Sequence, residues 1–338
     1  MRTVFKTLAA LAVLGALAGG AVVFGGLYNV SARAGHFPGV PWILHTTFRR
    51  SVALRAPDPA DTPELTDEMA MLGRNHFENA CSQCHAAPGA TRDATIRSML
   101  PEPPHIEAAV GSWSPEELWW ILHEGVKMSG MPHWPSIRDD DVWPVVAFLV
   151  RVQDGMDAQA YGEMVAGDEY CAACHGPGGA SDNPHIPRLD ILSERYVAMS
   201  LRTYREGLRE SGIMRHAATE VTAPEGDLAA EYHGEAGGPG LPLPGEVPDL
   251  DAAALARTGT REVPSCETCH GGARDEALAP GPRLEGQHAP YLAAQLRLFR
   301  DGIRGGGPRW NLMAQAAEHL SDDEILALAA WYAARGGE

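Results

Sequence analysis

Cysteine is scarce in this chain, six residues in 338, and none of the six lies outside one short motif. The motif occurs as Cys81-Ser82-Gln83-Cys84-His85, Cys171-Ala172-Ala173-Cys174-His175 and Cys266-Glu267-Thr268-Cys269-His270. No cysteine remains to serve as a partner in a structural disulfide, and residues three apart rarely bridge each other. Zinc ribbons pair two C-x-x-C units on one metal, so three units leave one stranded. A thioredoxin-like pair needs no following histidine and sits in a βαβ pattern. Basic residues are also few, 27 Lys and Arg against 44 Asp and Glu, for a formal net charge of −17. The basic footprint that nucleic acid requires is missing, which argues against that class of partner. Strand-like alternation is missing too, so the helical periods stand alone.

What the cysteines offer is a covalent anchor. Two thiols three residues apart reach the two vinyl groups on one edge of a haem, and the adjoining histidine supplies an axial nitrogen to its iron. This is the c-type haem attachment pattern. Three complete copies predict three covalently bound haems c, with Cys81 and Cys84, Cys171 and Cys174, and Cys266 and Cys269 as attachment points. His85, His175 and His270 are the expected iron ligands. The length suits two or three domains. Units of under about 100 residues bury a low fraction of their surface, so each haem is expected to form part of its own core.

The chain has one long apolar run, residues 7–28, behind Arg2 and Lys6. It matches the roughly 20 residues a helix needs to span a bilayer and exceeds the 7–15 of a signal-peptide core. The flanking charges keep the N-terminus cytoplasmic and send the remainder out. Residues 1–34 are therefore expected to be a membrane anchor. The competing reading is a cleaved signal peptide, for which Ala32-Arg33-Ala34 supplies small residues. Residues 1–60 carry a net charge of +5 and the rest −22, so the exported part is strongly acidic. That charge keeps it soluble or steers it to basic faces of partners. Residues 35–62 are read as a linker, in which Trp42, Ile43, Leu44 and Phe48 beside Arg49 and Arg50 also suit a membrane interface.

Three segments follow: 63–158, 159–235 and, after a Gly/Pro-rich linker at 236–248, 249–338. In the first, residues 66–80 read as a helix with Gly73, Phe77 and Cys81 along one face. Ser114-Pro115-Glu116-Glu117 is a capping box that opens a second helix, and Asp139–Asp141 open a third. The other two segments repeat. Cys171 and Cys266 are 95 residues apart, and at the same offset 187–207 and 282–302 agree at nine of 21 positions. A shared register of that length indicates two copies of one fold. Ser321-Asp322-Asp323-Glu324 caps the last helix; its middle counterpart, near 227–233, is short.

An electron-transfer haem c commonly carries methionine opposite the histidine. Met131, Met214 and Met313 lie 46, 39 and 43 residues after their histidines. Met128 competes with Met131, which is preferred because Pro132 stiffens its loop. Histidines such as His123, His133 and His216 are the rival ligands. Met214 and Met313 are expected in loops.

Together these motifs resemble class I c-type cytochromes over residues 63–336, and the last two segments resemble the paired domains of cytochrome c4. The resemblance rests on Gly73, Phe77, Pro104 and Gly130-Met131-Pro132 around the first motif. Pro187, Tyr196 and Met214 carry it around the second, and Pro282, Tyr291 and Met313 around the third. It implies an all-α fold of three tandem haem domains after a transmembrane helix. It also implies that Pro104, Pro187 and Pro282 accept a hydrogen bond from the axial histidines. Arg188 and Arg283 are either haem propionate contacts or plain surface arginines. The function expected is electron transfer in a respiratory chain by a protein of the inner membrane whose haem domains face the periplasm. It would exchange electrons with redox proteins, without substrate turnover of its own. Two alternatives stand beside it: the electron-accepting subunit of a membrane dehydrogenase or oxidase complex, and a peroxidase-like haem enzyme if one iron lacks methionine.

Overall fold

A computed structural model describes residues 2–127, 129–164, 170–221, 223–234, 237–271, 281–307 and 309–336. Helices and their connections make up the fold, and no strand occurs among the described residues. The helices begin with α1 (Arg2–Phe24), α2 (Val40–Arg55), α3 (Asp67–Ala80), α4 (Ser82–His85), α5 (Ala94–Arg97), α6 (Ile106–Val110), α7 (Pro115–Glu124) and α8 (Trp143–Gln153). Next come α9 (Ala158–Glu163), α10 (Ala172–His175), α11 (Glu194–Arg205), α12 (Gly212–Glu220) and α13 (Glu225–Tyr232). The last are α14 (Ala252–Thr258), α15 (Glu267–His270), α16 (Ala289–Arg300), α17 (Trp310–Ala317) and α18 (Asp322–Ala334).

Two compact bodies result. The smaller comprises residues 1–51 and 93–103. Its α1 has 23 residues and a mean hydropathy of 2.2 in its most apolar stretch, with no buried residue. At 1.5 Å per residue it is about 35 Å long, enough for a ~30 Å hydrocarbon core. Residues 35–62 are not all coil, because α2 lies within them, with Trp42, Ile43 and Leu44 exposed.

The larger body comprises residues 52–92 and 104–338 and contains all three cysteine motifs. Its first core forms where α3 crosses α8. Thr66 starts α3 by accepting the Met69 N–H, and Asp67 and Glu68 suit the positive end of the helix dipole. Gly73 makes the crossing possible, since a Cβ there would lie 1.9 Å from the Pro144 carbonyl oxygen. One turn on, Phe77 packs on Phe148 with ring centroids 5.0 Å apart, both fully buried. Tyr161 of α9 joins them and donates its hydroxyl to Glu78, so the first core holds residues beyond position 158. The capping box at Ser114 and Glu117 is formed at the head of α7. A 3₁₀ turn over Asp140–Val142 leads into α8.

The repeat is visible in the helices. Adding 95 to the ends of α10 and α11 gives those of α15 and α16. The last core gathers Leu292, Leu320, Ile325, Leu328 and Tyr332 among others, with Ser321 and Glu324 capping α18. The middle core is smaller: Ile191, Leu192, Val197 and Ala229. Its closing helix α13 spans 8 residues where α18 spans 13. A segment with so little apolar burial depends on its neighbours for order.

Those neighbours reach it through reciprocal bonds. Arg209 donates to the Tyr291 hydroxyl at 3.2 Å, and Arg304 to the Tyr196 hydroxyl at 3.1 Å. Each partner in one pair lies 95 residues from its equivalent in the other, so the two copies face each other across a local two-fold axis. Arg188 is neither exposed nor available to a propionate. Its five N–H donors go to the Asp190 carboxylate and to the carbonyls of Gly237, Gly238 and Gly286, at 2.7–3.3 Å.

Candidate functional site

Each cysteine motif folds as one helical turn: α4 continues directly from α3, while α10 and α15 stand alone. In every copy the histidine N–H bonds back to the carbonyl of the first cysteine, at 2.9–3.0 Å. This winds both thiols and the imidazole onto neighbouring positions of a single turn. None of the six cysteines is drawn into a disulfide. Burial pushes the Cys81 thiol up to about 12, with Cys84 beside it adding to the effect. Burial likewise takes Cys174 up to about 11 and raises Cys266.

The three imidazoles share one contact. His85 Nδ1 lies 2.8 Å from the Pro104 carbonyl, His175 Nδ1 3.0 Å from that of Pro187, and His270 Nδ1 2.8 Å from that of Pro282. A carbonyl only accepts, so Nδ1 carries the proton and Nε2 keeps a lone pair. Burial holds His85 and His175 below the ordinary imidazole value, against the opposing pull of their carbonyl partners. Those two rings are thereby biased toward the neutral form that binds metal.

Opposite two of them is a cavity. Around the middle motif Cys171, Cys174, His175, Pro187 and Met214 line a space of about 850 Å³ that extends to residues of the first and last segments, such as Trp143 and Tyr291. In the last, Cys266, Cys269, His270, Pro282 and Met313 line one of about 630 Å³. Both volumes fall within the range of cofactor pockets. Apolar side chains complete the walls, among them Leu201 in the first and Leu296 and Phe299 in the second. The last cavity also holds buried polar atoms without a partner among the described residues, Arg304 Nε and the Tyr332 hydroxyl. Paired thiols, a lone-pair nitrogen, a thioether, apolar walls and spare donors fit a covalently held haem with polar edge groups.

The methionines are not where loops were expected. Met214 sits in the first turn of α12, whose N-cap is Ser211, and Met313 sits in α17. Met131 does occupy a loop. Its N–H bonds to Ser129 Oγ at 3.1 Å and its carbonyl accepts from Val126 at 3.2 Å. Met128 lies outside the described residues. Of the rival histidines, His123 stacks on Trp119 and lies 2.8 Å from Glu124, and His133 Nδ1 bonds the Trp134 carbonyl. His216 shares the middle cavity with Met214.

Sequence reasoning missed how far the first segment enters the middle site. Asn75 Nδ2, on α3, donates to the Ala173 carbonyl inside the middle cysteine turn at 2.8 Å. Met69 and His76, also on α3, line the middle cavity.

Residues 68–149 match the family model described as cytochrome c oxidase, cbb3-type, subunit III, and residues 159–232 match that of cytochrome c. The thiosulfate dehydrogenase electron acceptor of Stutzerimonas stutzeri (strain A1501) is 33% identical over 60% of this chain and 94% of its own. Cytochrome c4 of Thiocapsa roseopersicina is 36% identical over 52% of this chain and 95% of its own. A solved thiosulfate dehydrogenase (TsdBA) from Marichromatium purpuratum is 34% identical over 49% of this chain. That match takes in 36% of the solved chain, with a TM-score of 0.40.

Proposed function

The chain belongs to the multihaem c-type cytochromes related to cytochrome c4, and from that premise we propose that it carries three haems c and passes electrons one at a time between redox proteins. Cys81 and Cys84, Cys171 and Cys174, and Cys266 and Cys269 hold them as thioethers. His85, His175 and His270 would hold the irons through Nε2, with Met131, Met214 and Met313 as the second protein ligands. Pro104, Pro187 and Pro282 fix the imidazole orientation. The haem supplies the redox chemistry; the protein supplies ligation, burial and approach. With α1 as anchor, the haem segments work at the periplasmic face of the inner membrane.

The observation that carries this reading is the repeated assembly of thiol pair, proline-bonded histidine and methionine on two cavities of cofactor size. Intact mass of the purified protein after acid extraction of loose haem tests it. A mass three haems above the polypeptide is expected, and an excess of two haems or fewer refutes it.

A second reading concerns the donor. Relatives named as electron acceptors of a thiosulfate dehydrogenase favour a dehydrogenase as the source of electrons. Reduction of the purified protein by such an enzyme and its substrate, at a rate that saturates with cytochrome concentration, is the corresponding test.

A further inference from the structure

The helix that bears Met214 is capped from outside its own segment. Asp141, buried just ahead of α8 in the first segment, accepts the Ser211 hydroxyl at 3.1 Å. The same carboxylate accepts the backbone N–H groups of Gly212 and Ile213 at the head of α12. Ser211 Oγ in turn accepts the Met214 N–H at 3.1 Å. The carboxylate thus reaches the Met214 backbone through one hydroxyl.

Other first-segment groups close on the same place. A Cβ on Gly212 would fall 2.2 Å from Trp134 Nε1, so the indole rests directly on the helix start. Arg215 of α12 donates to the Pro135 carbonyl at 3.1 Å. A partly buried negative charge at a helix N-terminus is favourable, and a serine cap adds to it. The equivalent helix in the last segment is built differently. The N-cap of α17 is Arg309, with no side-chain capping bond.

We propose that Asp141 is a positioning residue for the sixth ligand of the middle iron, so that docking of the first segment sets ligation in the second. This rests on the reading of Met214 as that ligand. Groups that orient a ligand from behind commonly matter for metal affinity and tuning as much as the ligand does. Here that group belongs to a different haem segment. The first segment is then more than an extra carrier, because it completes its neighbour's site.

The test uses full-length, haem-loaded protein with Asp141→Ala, Asp141→Asn and Met214→Leu. The readouts are the three midpoint potentials and the iron–sulfur charge-transfer band of the oxidised protein. Asp141→Ala is expected to lower one potential and to remove about one third of the band, as loss of one of three thioether ligands requires. It should also open one iron per chain to carbon monoxide. Asp141→Asn is expected to restore most of the band, because asparagine caps a helix about as well as aspartate. An Asp141→Ala protein that melts earlier but keeps all three potentials and the whole band overturns the proposal, because the carboxylate is then merely structural. Met214→Leu separates the two possible failures. If it removes a third of the band while Asp141→Ala does not, only the positioning role falls. If it too leaves the band whole, the ligand reading falls and the proposal falls with it. Should Asp141→Ala fail to accumulate, Ser211→Ala breaks the same relay one bond further along and is read by the same criteria.

Discussion

His76 makes the larger body sensitive to acid, and replacing it with glutamine should remove much of that sensitivity. The imidazole lies on α3 with 7% of its surface exposed, 4.9 Å from the Trp134 ring and 5.5 Å from that of His216. Burial, with His216 as the second cause, pulls its pKa from 6.5 to about 3. The folded protein therefore binds fewer protons than the unfolded chain between those values. The stability that the neutral ring contributes is fully present above pH 6.5 and is lost progressively as the pH falls toward 3. From pH 7 to pH 5 the unfolded chain gains a proton that the folded one refuses. Roughly 1.5 pK units at 1.36 kcal/mol each make this about 2 kcal/mol. Denaturant unfolding of the wild type and of His76→Gln at both pH values, followed by circular dichroism, isolates the effect. Acid losses common to both proteins cancel in the difference of differences. The wild type should lose about 2 kcal/mol more than the variant on acidification. Equal losses would refute the burial argument.

Three further outcomes are expected. Gly73→Ala should lower the thermal midpoint, because the new methyl overlaps the Pro144 backbone and overpacking costs about 1–3 kcal/mol, more than the ~1 kcal/mol alanine gains in a helix; an unchanged or raised midpoint would contradict the close crossing. Met313→Leu, nearly neutral if the residue only fills space, should lower the potential of one haem and leave the other two in place; three unchanged potentials in a redox titration would remove Met313 from the ligand set. Replacing residues 1–34 by a cleavable export signal should yield a soluble protein with its full haem content, measured by fractionation and pyridine haemochrome; recovery of the native chain without detergent would contradict the anchor.

The parts of the structure legible in the sequence are those with local causes. The start of α3 at Thr66, the capping boxes at Ser114 and Ser321 and the offset of 95 between α11 and α16 follow from short-range chemistry and register. The cysteine turns follow as well, because their cysteines and histidine lie within five consecutive residues. The proline partners came only from resemblance, since nothing at Pro104, Pro187 or Pro282 marks a carbonyl as an acceptor. Contacts between segments were illegible. Asp141 meets α12 across about 70 residues, and Arg209 meets Tyr291 across 82, with no periodicity to announce either. The same holds for Arg188, whose acceptors are mostly backbone carbonyls about 50 and 98 residues away. In the absence of such partners an arginine reads as a surface residue. The helices around Met214 and Met313 were missed for a different reason: both are under ten residues long, too short for a helical period to stand out.

The crossed arginine–tyrosine pairs bear on how the middle and last segments came to share one chain. An interface in which residue i meets j′ and i′ meets j is the kind two identical subunits make. Separated from their connection, two ancestral copies would meet through the same two bonds, but only at concentrations high enough to associate. Their covalent connection removes that dependence. It holds the halves at an effective concentration on the order of millimolar, however dilute the protein is. The association constant of a dimer is thereby replaced by the geometry of a tether. Each copy is then free to diverge, as α13 and α17 have done, without losing its partner.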